Sequence, residues 1–125
     1  MIPPHSERAG EVRISLSWPP STNKLFANVP KRGRVKTREY GLWRTAAGWE
    51  LVAQHPPKFA GPVTIDVELC SPTGRPFDPD NRLKAPLDLL KEHGVIIDDT
   101  NRFVRRVTAI PVENAAPCTI ILRAA

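Results

Sequence analysis

The stretch PFDPDNRLKAPLD, residues 76–88, decides how the rest of this 125-residue chain is interpreted. Its first half is rich in the proline, aspartate and asparagine that form turns, and its second half has leucines at helical spacing. We therefore predict a helix over residues 81–92, capped by Asp80 or Asn81. Gly94 follows as the residue that ends it.

The polar residues of this stretch fall on one surface. At 100° per residue, Asn81, Lys84 and Asp88 lie within about 60° of one another on the predicted helix. The leucines lie on the opposite side and are expected to face the core. Asp78 and Asp80 stand just before the first turn, next to the polar face.

A second acidic pair, Asp98-Asp99, follows the short apolar run 95–97, which we predict to be a strand. Carboxylates at a helix start beside carboxylates at a strand end suit Mg²⁺, which prefers oxygen ligands and keeps several waters. Such an ion polarises a phosphoryl oxygen and activates a water for attack. Lys84 would orient that water or offset charge on the phosphorus.

Each acidic group also has an ordinary structural explanation. Asp78, Asp80 and Asn81 could form a turn and a helix cap, and residues 98–101 could form a surface turn. A calcium-binding EF-hand loop does not fit, because Leu83 stands where that loop needs glycine. The conjunction of four carboxylates and a lysine at two junctions favours the metal site.

The charge of the chain is segregated. Lys and Arg number 18 against 13 Asp and Glu, and this net charge of +5 favours polyanionic partners. Every aspartate except Asp66 lies between positions 78 and 99. No acidic residue interrupts a basic segment that we expect to bind phosphates: Lys24, Lys31, Arg32, Arg34, Lys36 and Arg38.

The remaining periodicities predict an α+β fold. It would be a single domain at residues 11–125, with a mixed β-sheet of about four to five strands flanked by two helices, after a disordered extension at residues 1–10. Strands are predicted at 11–18, 63–70, 102–111 and 118–123, a loop at 21–36, and a first helix at 38–54 capped by Thr37.

Several classes are disfavoured. No apolar run is long enough to span a membrane, and residues 1–10 lack the apolar centre of a signal peptide. Cys70 and Cys118 make neither a disulfide framework nor a CxxC pair. We expect a cytoplasmic protein with no membrane contact and no small-molecule cofactor.

Residues 78–88, followed by Gly94-Val-Ile-Ile-Asp98-Asp99, resemble a known signature. It is the DxDN-x-x-K-x-x-x-D … DD pattern of the RusA family, the Holliday junction resolvases common in phages and prophages. The opening segment WPPSTN, residues 18–23, is similar to the W-P-P-S-x-N turn of the family. The resemblance extends from about residue 11 to residue 122.

The resemblance implies a dimeric, Mg²⁺-dependent endonuclease, with Mn²⁺ as a possible substitute, that cuts branched DNA at four-way junctions by paired nicks in recombination and repair. By correspondence with the motif, Asp78, Asp80 and Asp99 are the metal ligands and Lys84 is the motif lysine. The remaining motif positions have supporting roles and are Asn81, Asp88 and Asp98. The basic segment would hold the phosphate backbone.

Pro86 departs from the family pattern. Inside a helix it loses the bond to the carbonyl of Arg82, at a cost of about 3 kcal/mol if unrelieved. Either the first turn is irregular or the helix kinks, and Lys84 would then shift relative to the carboxylates. A non-catalytic junction-binding module, a prophage relic, is therefore the alternative function. In a third interpretation the acidic cluster merely caps a helix in a basic protein.

Overall fold

The computed structural model describes residues 6–8 and 10–125, which form two helices and seven strands. The helices are α1 (Arg38–Ala53) and α2 (Lys84–Glu92). The strands are β1 (Ser6–Arg8), β2 (Glu11–Leu16), β3 (Phe26–Val29), β4 (Gly33–Lys36), β5 (Val63–Leu69), β6 (Val104–Pro111) and β7 (Cys118–Ala124). Two short 3₁₀ helices, Thr22–Lys24 and Pro79–Arg82, complete the elements.

Five strands form one mixed sheet in the order β1-β2-β7-β5-β6. All neighbours are antiparallel except β5 and β6, which run parallel. β3 and β4 form a separate hairpin. The predicted α+β fold, with its mixed sheet and two helices, is confirmed.

The core lies on one face of the sheet. In β5 the alternate residues from Val63 to Leu69 are fully buried, as period-two patterning predicts. Trp43 and Leu51 of α1 and Leu89 and Leu90 of α2 pack into the same cluster. No helix in the described part of the chain has the length and apolarity needed to cross a membrane.

α1 begins as predicted, because Thr37 Oγ1 accepts a hydrogen bond from the backbone N–H of Tyr40 at 3.2 Å. Leu42, Trp43, Ala46, Ala47 and Leu51 form the apolar stripe that the sequence predicts for this helix, and the structure buries only part of it. Leu42 is 61% exposed and Ala46 is exposed, while Tyr40 is buried instead. Tyr40 stacks on Trp43, one turn along the same helix, with ring centroids 6.5 Å apart.

The prediction of a loop over residues 21–36 is wrong, because this segment contains a 3₁₀ helix and the β3–β4 hairpin. Its two strands are only four residues long and largely exposed, so they lack the apolar alternation that reveals a strand. The first long strand also ends at Leu16, two residues earlier than predicted.

The second helix begins at Lys84, three residues later than predicted, and neither Asp80 nor Asn81 is its cap. The 3₁₀ helix Pro79–Arg82 precedes it. Pro86 is therefore the third residue of α2, where a helix has no internal partner for a backbone N–H. The irregular first turn thus removes the cost that a proline would have in a helix interior.

Residues 95–97 do not form the predicted strand. Gly94 has a positive φ of 73° and ends α2 as expected. The Val95 N–H then bonds back to the carbonyl of Leu90 at 3.0 Å, and the Val95 carbonyl accepts from Phe59 at 2.9 Å. Val95 and Ile96 are buried, so the apolar run marks a core segment in an irregular loop.

The extension predicted to be disordered, residues 1–10, falls largely outside the described residues. Within it, Ser6–Arg8 form β1, which pairs antiparallel with β2. β1 covers only the first half of β2, down to Arg13.

Side chains of α1 bind the rest of the free edge of β2. The Gln54 amide accepts from the Ser15 N–H at 2.9 Å and donates to the Ser15 carbonyl at 2.7 Å. Glu50 accepts from the N–H and hydroxyl of Ser17 at 2.8 and 2.7 Å. The Trp43 indole donates to the Ser17 carbonyl at 3.1 Å. These bonds fix where the chain leaves β2.

Replacing the Gln54 amide by an apolar side chain of similar length tests this attachment. We expect Gln54→Met to lower the free energy of unfolding by about 1–3 kcal/mol, because the buried Gln54 amide and the partly buried backbone groups of Ser15 lose their hydrogen bonds. Urea unfolding measures the change. The control Thr45→Ala, on the exposed side of α1, should stay within about 0.5 kcal/mol of wild type. An equally small effect of Gln54→Met would contradict the prediction.

Candidate functional site

The 3₁₀ helix that carries Asp80 is held against the end of β2. The Arg82 guanidinium donates to the Pro19 carbonyl at 2.8 Å and lies 5.1 Å from the Trp18 ring. Trp18 in turn meets Phe77 edge to face, with ring centroids 4.9 Å apart. The two halves of the sequence pattern, WPPS and DPDN, are thus in direct contact.

Lys84 lies between two of the predicted acidic residues. Its ammonium is 3.2 Å from Asp88 Oδ1, one helical turn along, and 4.0 Å from Asp99 Oδ2. Of the expected polar face, Lys84 and Asp88 lie one turn apart on α2, whereas Asn81 lies in the preceding 3₁₀ helix. The loop after α2 brings Asp99 to Lys84.

Lys91 forms the other side of the same cluster. Its ammonium is 3.2 Å from Asp98 Oδ1 and 3.8 Å from Asp99 Oδ1. Asp99 therefore stands between two ammonium groups, those of Lys84 and Lys91. Asp98 Oδ1 also accepts a hydrogen bond from the backbone N–H of Asp99 at 2.8 Å, which fixes the turn of the acidic pair.

These contacts shift the ionisation of the cluster. The N–H of Asp99, and after it the ammonium of Lys91, hold the pKa of Asp98 below its usual value. The hydrogen bond to Asp98, reinforced by the charges of Asp98 and Asp99, raises the pKa of Lys91. Asp98 and Lys91 therefore stabilise each other's charged forms.

Asp78 and Asp80 are exposed; Asp80 lies on the 3₁₀ helix and Asp78 is the residue before it. The described residues include no salt-bridge partner for either. The Asn81 backbone joins this helix to the first 3₁₀ helix, because its carbonyl accepts from Thr22 Oγ1 at 3.1 Å. Among the described residues there is no group of three or more His, Cys, Asp or Glu side chains placed to hold a metal ion.

The chemistry of the donors nevertheless suits a hard divalent cation. Asp78, Asp80 and Asp99 offer carboxylate oxygens, the ligands that Mg²⁺ prefers. The oxygens of Asp99 are 3.8 and 4.0 Å from its two lysines, which is longer than a close ion pair. In this structure Lys84 and Lys91 balance the charge of the acidic pair.

The basic segment lies on and around the β3–β4 hairpin, and all of its predicted members are exposed. Lys31 and Arg32 form the turn, where Lys31 and Gly33 have positive φ values of 66° and 74°. Arg34 and Lys36 lie on β4, Lys24 ends the first 3₁₀ helix and Arg38 begins α1. The hairpin thus projects these charges from the body of the fold.

Sequence reasoning missed Lys91 and Arg82. Lys91 is seven residues after Lys84, and this spacing places both on the same face of α2, so helical geometry contained the signal. The contact of Arg82 with Trp18 and Pro19 joins segments far apart in the chain, and no local pattern reveals it.

Comparison with known proteins supplies the family. The family model described as "Endodeoxyribonuclease RusA" matches residues 17–122. The chain is 32% identical over 99 residues to the crossover junction endodeoxyribonuclease RusA of Escherichia coli K12, covering 79% of this chain and 82% of that protein. The enzymes of the same name from Enterobacteria phage 82 and Shigella sonnei are 30% and 33% identical, with the same coverage.

A titration of Asp98 tests the charged cluster. Because its folded pKa lies below the ordinary 3.8, the Asp98 carboxylate stabilises the fold above that pH, and this contribution is lost as pH falls through the folded value. We expect Lys91→Met to raise the pKa of Asp98 without fully restoring it, since the Asp99 N–H remains. Carboxyl-detected NMR measures the shift, with Lys58→Met as the control. An unchanged Asp98 pKa in Lys91→Met would disprove the pairing.

Proposed function

Because this chain belongs to the RusA family of endodeoxyribonucleases, we propose that it is a magnesium-dependent endonuclease that resolves four-way DNA junctions in recombination and repair. The observation that carries the proposal is the family match over residues 17–122, which includes the whole acidic cluster around Lys84. A protein with this substrate would act in the cytoplasm.

The proposed roles of the site residues follow from their chemistry. Asp78, Asp80 and Asp99 would hold Mg²⁺, or Mn²⁺ in its place, and the bound ion would stabilise negative charge on the phosphodiester. Lys84, whose ammonium lies 4.0 Å from Asp99, would offset charge on the phosphate as it is attacked.

The supporting residues act on these groups. Asp88 holds the Lys84 ammonium at 3.2 Å, and Asn81 fixes the 3₁₀ helix through its backbone. Asp98 orders the acidic turn by accepting from the Asp99 N–H.

DNA would be held beside the acidic cluster rather than on it. The hairpin presents basic side chains to solvent, which suits phosphate contacts. The acidic cluster would repel phosphates without a cation, so binding and cleavage need different surfaces. The Thr22–Asn81 hydrogen bond joins the base of the basic segment to the acidic side.

We propose a homodimer as the active form. Resolution needs incisions on two opposing strands, and two copies of one site related by a twofold axis supply them. Each copy would contribute one acidic cluster and one basic hairpin.

Cleavage of synthetic substrates tests the activity. With Mg²⁺ or Mn²⁺ we expect the protein to cut a four-way junction in preference to a linear duplex or a flap, and EDTA should abolish cutting. Asp80→Asn should lower the rate at least about a hundredfold, because a ligand contributes more than the groups that orient it. The exposed Glu113→Gln is the control. A cruciform plasmid should be linearised rather than nicked if incisions are paired.

Three results would change the proposal. Equal cutting of junction and duplex would leave a nuclease without junction selectivity. Full activity of Asp80→Asn would contradict the site residues. Tight junction binding without cleavage in Mg²⁺ and Mn²⁺ would favour the non-catalytic binding module.

The salt dependence of binding tests the hairpin. Lys31→Asn combined with Arg32→Gln should reduce the slope of log affinity against log salt by about two, because each lost phosphate contact removes about one unit. Asparagine is chosen at position 31 because it tolerates the positive φ found there. Binding is measured in EDTA by fluorescence anisotropy. The slope of the control, Lys58→Ala, should equal that of wild type; an unchanged slope in the double variant would exclude these contacts.

A further inference from the structure

A pocket of about 370 Å³ opens at the base of the β3–β4 hairpin. This volume lies within the roughly 300–1,000 Å³ typical of sites for small ligands. Of its lining residues, only Arg34 belongs to the basic segment described above. The residues that line it are Thr22, Asn23, Phe26, Ala27, Asn28 and Arg34.

One wall of the pocket is a braced aromatic surface. The Arg34 guanidinium carbon lies 4.1 Å from the centroid of the Phe26 ring, a cation–π contact. Phe26 meets the buried Tyr40 edge to face, with centroids 5.8 Å apart. The wall is therefore held by the core and does not depend on the hairpin alone.

The other walls offer hydrogen bonds of both kinds. Asn23 and Asn28 are exposed, and each amide can donate and accept. A phosphate needs only donors and positive charge, which the hairpin tip already supplies. Planar stacking groups together with amides are the chemistry that recognises the face and edge of a nucleobase.

The pocket is also joined to the acidic side of the molecule. Thr22 Oγ1 donates to the Asn81 carbonyl at 3.1 Å, and the Asn81 N–H bonds to the Asp78 carbonyl at 3.1 Å. One wall of the pocket thus contacts the 3₁₀ helix that carries Asp80 and follows Asp78. A nucleotide bound there would lie on DNA that continues toward these carboxylates.

We propose that this pocket binds one unstacked nucleobase of branched DNA, near the phosphate that is cut. A base inside a duplex hides its faces, whereas stacking is interrupted at a branch point, so extrusion costs less there. The pocket would thereby contribute to recognition of branched DNA over linear duplex. This inference rests on the proposed function, because it takes branched DNA as the substrate.

A cycle of protein and DNA changes, measured by binding in EDTA, tests the pocket. Junctions carry a single abasic site at each position around the branch point in turn. At one position we expect the abasic site to weaken binding to wild type about tenfold, in line with the stacking of one base on the Arg34 guanidinium that lies over Phe26. Asn28→Ala should weaken binding to the intact junction, and the same abasic site should then have little further effect.

Two further variants make the result decisive. Asn23→Ala repeats the test from the other amide, in case Asn28→Ala does not fold. Lys31→Asn, at the hairpin tip, is the matched control. Its loss of binding free energy should add to the loss from every abasic site, because Lys31 would contact only a phosphate. If, at every position, the loss of binding free energy from each asparagine variant simply adds to the loss from the abasic site, the pocket binds no base.

The same cycle on a single-stranded oligonucleotide separates this inference from the proposed function. Equal binding of junction and duplex by wild type would refute junction selectivity. If the binding losses caused by the abasic site and by the asparagine variants do not add on the single strand, that result would still support a base in the pocket. If these losses add on the single strand as well, the base-binding proposal is overturned.

Discussion

The parallel pairing of β5 with β6 is the constraint on which the site depends. Two parallel strands cannot be joined by a tight turn, so the chain must cross back over the sheet between them. That connection, residues 70–103, contains α2 and every acidic residue assigned to the site. The strand register fixes the two ends of this connection, and contacts of Arg82 with Pro19 and of Asp99 with Lys84 and Lys91 hold the DPDN segment and the DD pair near α2. The site thus lies on a connection whose two ends are held in place by the sheet.

The acidic cluster shows how a small basic protein keeps carboxylates close together. Each like-charged neighbour raises the cost of ionisation, and the cost is offset here by ammonium groups that alternate with the carboxylates along α2. Lys84 serves Asp88 and Asp99, and Lys91 serves Asp98 and Asp99. A cation that binds Asp99 must compete with the ammonium groups of the two lysines. Its affinity is therefore the free energy of its own contacts with the carboxylate minus that of the lysine contacts it replaces.

Much of the fold could be predicted because burial imposes a period on the sequence. β5 alternates along its whole length, and α1 has its cap at Thr37 as expected. The hairpin carries no such signal, because its strands are exposed and short. The strand predicted at residues 95–97 was wrong for the opposite reason. A short apolar run indicates burial but does not specify the backbone conformation.

The site was predictable only as far as local spacing extends. The helix periodicity placed Lys84 next to Asp88, and the family signature indicated that Asp99 belongs with them. The Arg82–Trp18 contact depends on how distant segments pack, and Lys91 was overlooked although its spacing from Lys84 is regular. Pro86 could be interpreted only when the true start of α2 was known, since a shift of three residues moves it into the first turn.

The attachment of α1 to β2 has a further consequence for how the protein behaves at high concentration. An open sheet edge invites a strand from another molecule, and such pairing begins aggregation. Beyond the short β1, Gln54 binds both backbone groups of Ser15 in β2, and Glu50 binds the N–H of Ser17 just after it, so these groups are not available to an added strand. At the opposite edge, β6 exposes Arg105 and Arg106 and reaches Pro111, features that discourage pairing with another chain. Side chains of the same chain therefore occupy the edge of the sheet beyond β1, and charge disfavours strand addition at β6.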